Sequence, residues 1–275
     1  MLDKFVKNSG KEIQGNIYII DNKFTVPSAM RGKMHSDTAY CYGAPVTRVH
    51  MNKNCTKVTA KPSAVGQKIK VSASKNFPYF IQNNAKTIKP NQFDRLYTSI
   101  KDNKYIIDGT LSVSTGKVTA GAVTNAPLIS VKYYLKRQLI QHGIRINGKI
   151  LFASKLPSDK KNLKEASSIS KSFEDVVKIA MKKSDNFVTD YLFAEFATEN
   201  KQKEWESAVS YIKSLIKRKF GVDLKKSEIV DASGISRLNL ITVNQFDSFL
   251  NKVAQKSNFS EIKSLLATPS EDCTL

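Results

Sequence analysis

What most limits the fold of this chain is a change in its hydrophobic period near residue 170. From residue 13 to about 120, apolar positions recur at every second residue and turn formers separate the runs, the signature of half-buried strands. In KIKVSAS, Ile69, Val71 and Ala73 alternate with Lys68, Lys70 and Ser72, so one face turns inward and the other meets water. In RLYTSIKDNKYIIDGTLSV, Leu96, Thr98 and Ile100 precede Asp102 and Asn103, and Tyr105 and Ile107 follow. Asp-Asn between two alternating runs predicts a hairpin. One helix is expected near 127–142: Pro127 suits its first turn, Leu128, Val131, Leu135 and Leu139 form a stripe, and Gly143 suits the stop.

The stretch SKLPSDKKNLKEASSIS, residues 154–170, is polar and contains a proline and several serines, which marks it as a linker. Beyond it the period is helical. Ser172 with Asp175 has the spacing of a helix cap ahead of Phe173, Val176, Val177, Ala180 and Met181. A second helix is expected from Phe187 to about Thr198. A third carries Trp205, Val209, Ile212 and Ile216 and is stopped by Gly221. Thr242 with Gln245 opens a fourth, bearing Phe246, Phe249, Leu250 and Val253. The expectation is an α+β protein with β-rich domains over 1–165 and a helical portion over 166–275.

The bulk properties exclude more than they assign. At 275 residues the chain can bury a sizeable core, and no apolar run reaches the roughly 18 residues a membrane helix needs, so no membrane span is expected. The N-terminal MLDKFVKNSGKEIQGNIYII lacks the pattern of a signal peptide. A formal charge of +20 would favour an anionic partner. Because lysine is scattered and not interleaved with aromatics, nucleic acid is not the expected partner, and attraction to acidic cell-wall material fits better. His35, His50 and His142 are isolated, and Cys41, Cys55 and Cys273 lack the close pairing of a zinc site, so neither metal nor cofactor is expected. Cys41 and Cys55 flank what reads as one strand. They suit either a disulfide, should the fold be exported, or two buried thiols.

MKKSDNFVTDYL, residues 181–192, places Ser184, Asp185 and Asn186 between two helical runs. A serine and an asparagine separated by one residue on a tight turn can both face a cleft. The hydroxyl can then relay a proton between a lysine and a leaving nitrogen while the amide donates to a substrate carbonyl. The middle carboxylate turns outward or braces the turn. Taken alone, the triplet also suits simple helix capping.

The surrounding sequence distinguishes these readings. LKEASSISKSFEDVVKIAMKKSDNFVTDYLF resembles the helix, motif and helix of the class C low-molecular-mass penicillin-binding proteins, the D-alanyl-D-alanine carboxypeptidase/endopeptidase family of peptidase type S13. IVDASGISRLNLIT, residues 229–242, resembles that family's Asp-Gly-Ser-Gly-Leu-Ser-Arg segment, with Ala232 replacing the usual glycine. The matching positions are Asp231, Ser233, Gly234 at a sharp turn, and Arg237, expected to be buried against carbonyls. IQGNIYIIDNKF, AYCYGAPVTRVHMNKNC and PLISVKYYLKRQLIQHGIRINGKI resemble the domains inserted within the family's transpeptidase-like domain.

The resemblance implies β-rich inserted domains followed by the helical part of a penicillin-binding/β-lactamase-like transpeptidase domain, here incomplete. It also implies a serine acyl-enzyme acting on peptidoglycan stem peptides, recognition of β-lactams, and a periplasmic location. Ser184 and Asn186 are the implied catalytic residues, with Asp185, Asp231, Ser233, Gly234 and Arg237 supporting them. The family's nucleophilic Ser-x-x-Lys and its Lys-Thr-Gly are missing from these residues. Ser72 with Lys75, Ser114 with Lys117, Ser168 with Lys171, Ser210 with Lys213 and Ser214 with Lys217 read as chance spacings, and STGK at 114–117 has the wrong order. An inactive fragment, truncated or split, is therefore expected, with exposed apolar surface over 172–265 and a complementary chain as one partner that would complete it. The alternative is a non-catalytic basic module that holds cell wall or a protein.

Overall fold

The computed structural model describes residues 11–29, 32–34, 37, 40–74, 77–124, 126–156 and 168–268. It resolves into two compact units. One holds Met1–Asn22, Ala39–Ala44 and Val49–Ile169; the other holds Lys23–Thr38, Pro45–Arg48 and Ser170–Leu275. The helical unit thus also takes two segments from the sequence range expected to be β-rich. Most of the linker expected at 154–170 lies outside the described residues, as do His35 and Cys273.

The first unit begins with β1 (Glu12–Ile13) and β2 (Ile17–Ile20). Then come β3 (Cys55–Lys61), β4 (Lys70–Ser72), β5 (Phe80–Asn83), β6 (Lys86–Ile88), β7 (Arg95–Lys101), β8 (Lys104–Ser112) and β9 (Val118–Val123). It closes with helix α1 (Pro127–Gln141), β10 (Arg145–Ile146) and β11 (Ile150–Ala153). The β7–β8 hairpin forms where Asp102 and Asn103 occur, both with positive φ, which their short polar side chains tolerate. β4, β3 and β9 form an antiparallel sheet, and β8 is also joined by β5 and β6, both parallel to it. Inward-facing Val58, Ala60, Ile69, Tyr105, Ile107, Leu111, Ala120 and Ala122 make one core. The Tyr105 hydroxyl donates to the Ala120 carbonyl at 2.8 Å, and burial pushes its phenol up to about 12.

A second cluster packs the α1 stripe. Leu139 meets Ile19, Ile144 and Ile150, flanked by Val131 and Leu135. β1 pairs in parallel with β10, and β2 with β11.

Cys41 and Cys55 are joined as a disulfide, with Cα atoms 5.2 Å apart. The strand expected between them is absent. Cys41–Gly43 and Asn52–Asn54 are 3-10 turns, Pro45 removes a backbone donor, and Asn52, Lys53 and Asn54 all have positive φ, which no strand accommodates.

The second unit contains α2 (Phe173–Lys182), α3 (Asn186–Glu199), α4 (Trp205–Phe220), α5 (Val243–Ala254) and α6 (Phe259–Leu265). Ser172 caps α2 by accepting from the Asp175 N–H, Thr242 and Gln245 form a reciprocal capping box on α5, and Gly221 ends α4. Segments 23–29 and 45–48 are bound to this unit by side chains. The Trp205 indole donates to the Ala29 carbonyl at 3.1 Å, and the Arg48 guanidinium forms a two-point ion pair with Glu195 while lying over the Phe24 ring. The face of α5 bearing Val243, Phe246 and Leu250 is exposed, Val243 at 83%. Its other apolar side packs Phe249 against Phe220. No helix among the described residues is long and apolar enough to cross a membrane.

Candidate active site

The Ser184–Asn186 turn joins α2 to α3 with almost no connecting chain, and each of its residues has a different task. Lys183 ends α2. Ser184 adopts a left-handed backbone with φ of 48°, which lets the Asp185 N–H donate to the Ala180 carbonyl at 3.0 Å and close the helix end. Asp185 then starts α3 as its N-cap, its carboxylate accepting from the Val188 N–H at 3.1 Å. The middle residue braces the turn. Asn186 is the first helical residue and is half-buried, while Ser184 is exposed. Neither the Ser184 hydroxyl nor the Asn186 amide has a hydrogen-bond partner among the described residues, so both remain available.

One helical turn beyond Asn186, Asp190 points into the interior with a side chain 1% exposed. Its Oδ2 accepts from the Lys33 ammonium at 2.6 Å, and Lys33 is itself only 5% exposed. The Ser233 hydroxyl donates to the same oxygen at 3.3 Å. Asp190 Oδ1 is buried without a partner. Burial pushes the Asp190 carboxyl above the usual carboxylate range, and the nearby Asp231 charge pushes the same way; Lys33 and Ser233 oppose this without cancelling it.

The 231–237 segment is organised by Asp231, which is buried. Its Oδ1 accepts from the Gly234 N–H at 2.9 Å and the Asn239 amide at 2.6 Å, and its Oδ2 from the Ser236 N–H at 2.8 Å. Gly234 has a φ of +78°, as the sharp turn requires. Gly32 lies against this loop so closely that a Cβ would come within 2.5 Å of Val230 and 2.7 Å of the Ser236 hydroxyl. Ser233 and the Lys33–Asp190 pair therefore connect the loop to the helix that begins at Asn186.

Arg237 departs from expectation. It is exposed, not buried against carbonyls, and its neighbour Ser236 takes the interior position, donating to the Gly32 carbonyl at 2.9 Å. Asp231 draws the Ser236 N–H inward, and the chain then turns Arg237 outward. Lys33 and Asp190 escaped the sequence reading. Only Asp190 left a signal, as the first acid on the apolar run FVTDYLFAEFA, four residues after Asn186.

The serine-lysine pairs elsewhere are engaged otherwise. The Ser114 hydroxyl bonds that of Ser112, Lys213 donates to the Ser227 carbonyl at 2.6 Å, and Lys217 pairs with Asp223 at 2.7 Å. Ser168 and Lys171 are exposed, and Lys75 lies outside the described residues. Among the described residues no three His, Cys, Asp or Glu side chains gather as a metal site.

The sequence profile of the D-Ala-D-Ala carboxypeptidase 3 (S13) family matches residues 1–275. The chain belongs to that family. A curated relative, the D-alanyl-D-alanine carboxypeptidase DacB of Haemophilus influenzae, is 26% identical over 266 residues, covering 94% of this chain and 54% of the relative. A crystal structure of penicillin binding protein 4 (dacB) from Haemophilus influenzae matches with a TM-score of 0.79 and 22% identity, over 99% of this chain and 61% of that one. Its complex with a novel β-lactam matches with a TM-score of 0.75 and 22% identity, over 99% of this chain and 59% of that one. The S13 chain described here thus spans about half the length of the curated relative, and its α+β architecture is that of the penicillin-binding fold.

Proposed function

We propose that residues 1–275 form the Ser-x-Asn wall and the β-rich insertion of a serine-type D-alanyl-D-alanine carboxypeptidase/endopeptidase that acts on peptidoglycan peptides through an acyl-enzyme. Ser184 relays the proton between a lysine and the substrate's leaving nitrogen, and Asn186 donates to a substrate carbonyl. The supporting observation is the turn itself. A non-glycine residue in the left-handed region costs about 1–2 kcal/mol, and glycine would close the end of α2 without that cost. A serine held there with its hydroxyl unpaired is what a chemical role requires and a purely structural turn does not. Asp185 is occupied as a cap, and Asp231, Ser233 and Gly234 steady the adjoining loop. Family membership supports β-lactams as ligands and the periplasm as the location; the Cys41–Cys55 disulfide fits an oxidising compartment.

The attacking serine with its lysine, and the Lys-Thr-Gly strand, are not among these 275 residues. Residues outside these 275 supply them for turnover, and residues 1–275 by themselves form no acyl-enzyme. Incubation with a fluorescent penicillin followed by a denaturing gel tests this directly, because a labelled band at 30.7 kDa refutes it. Replacing the corresponding region of the Haemophilus influenzae carboxypeptidase by residues 1–275 tests the site: Ser184→Ala or Asn186→Ala in the chimera lowers turnover by about 100-fold or more. Unchanged turnover removes both residues from the mechanism. A second reading, a non-catalytic basic binding module, has one observation in its favour, a cation-lined groove beside α1.

A further inference from the structure

We propose that the groove between α1 and the β10–β11 segment binds an extended, acidic, apolar-rich stretch of another polypeptide. The groove holds about 650 Å³, well within the range of pockets that take peptides and other small ligands. Leu139, Ile144 and Ile150 are buried at its base, and Ile140 stands 65% exposed at its lip. Lys132, Lys136, Arg145 and Lys149 surround this apolar floor. No aspartate or glutamate is among the lining residues, and none of the four cations forms an ion pair among the described residues. The sequence carries the same bias: Pro127 to Lys155 contains six lysines and arginines and no acidic residue. One acid adjoins the rim, Glu12, the register partner of Arg145, and its carboxylate accepts from the Asn147 amide.

Two features select a peptide over other polyanions. An apolar floor gives free energy only to a ligand with apolar side chains, whereas a phosphate polymer would use the lysines and gain nothing from Ile140. Moreover, among the described residues β11 pairs with β2 alone, and an extended peptide is the ligand that would add a strand along its second edge. Alternating acidic and apolar side chains on that strand would reach the rim and the floor in turn. The inference does not depend on the chemistry of Ser184 and Asn186.

A fluorescein-labelled octapeptide of alternating glutamate and leucine, titrated with the whole chain and followed by anisotropy, tests the proposal. Binding is expected to saturate, to weaken as salt is raised, and to fall at least tenfold in the Lys136→Glu/Arg145→Glu double variant. Ile140→Ser is expected to weaken the glutamate-leucine peptide at least threefold and to leave a glutamate-serine peptide unaffected. Independently of any variant, the peptide should shift backbone amide resonances concentrated between Lys132 and Leu151. Absence of saturation, indifference to the charge reversals, or shifts centred elsewhere overturns the proposal. Tighter binding of poly(glycerol phosphate) that ignores Ile140→Ser also overturns it, by assigning the groove to a phosphate polymer.

Discussion

Lys33 donates to Asp190 at 2.6 Å inside the helical unit, one turn along the helix that Asn186 begins. The two residues are 157 apart in sequence, and neither side chain is more than 5% exposed. Through Ser233 the same carboxylate contacts the loop that Asp231 organises. The pair therefore ties the base of the proposed catalytic turn to its neighbouring loop, at the expense of desolvating both charges.

Breaking one side of this pair leaves a buried charge without compensation. Lys33→Met is expected to destabilise the helical unit by about 3–5 kcal/mol. Lys33→Met combined with Asp190→Leu is expected to cost less than the sum of the two single changes. A urea-unfolding double-mutant cycle measures the coupling, and simple additivity would show that the contact contributes nothing specific.

Asp190 also sets a pH dependence. Its folded-state pKa is raised by burial, so the folded protein holds this proton more tightly than the unfolded chain does. The resulting stability is fully present below the unfolded carboxyl value of about 3.9 and is lost as pH rises through the folded value. Compared with Asp190→Asn, the wild type should lose stability from pH 4 towards neutrality. Parallel pH profiles of the two proteins would contradict this.

Ser184→Gly is expected to stabilise the α2–α3 turn by about 1 kcal/mol, because glycine adopts the left-handed conformation without the cost of a Cβ. Ser184→Val is expected to destabilise it by a similar amount or more. Thermal melts of the two variants report the difference. A glycine variant that is more stable yet inactive in the chimera would separate the chemistry of the hydroxyl from any structural task.

The Cys41–Cys55 disulfide closes a short loop, with a sequence separation of 14. Replacing both cysteines by serine is expected to lower the stability of the β-rich unit by about 2–4 kcal/mol. Unfolding with and without reductant should give the same difference for the wild type and none for the variant.

The exposed stripe of Val243, Phe246 and Leu250 on α5 is expected to bind a hydrophobic reporter dye. Phe246→Glu should reduce the fluorescence while changing stability by no more than about 0.5 kcal/mol, as for other surface substitutions. Unaltered fluorescence would place the dye site elsewhere.

The sequence by itself determined what depends on neighbouring residues. The alternation in β4, β7 and β8, the Asp102-Asn103 turn, the caps at Ser172 and Thr242, and the stop at Gly221 each act over a few residues, and each forms where the pattern places it. The placing of Ser184–Asn186 between two helices was legible for the same reason, whereas its reading as part of an active site came from the resemblance of the surrounding sequence. Only the tertiary structure decided which distant segments meet. The parallel pairing of β1 with β10 and β2 with β11, the transfer of segments 23–38 and 45–48 to the helical unit, the Lys33–Asp190 pair and the outward turn of Arg237 have no local signature. A strand or a buried charge is satisfied by whichever partner the rest of the packing brings to it, and that choice is made over separations of more than a hundred residues, where no hydrophobic period reaches.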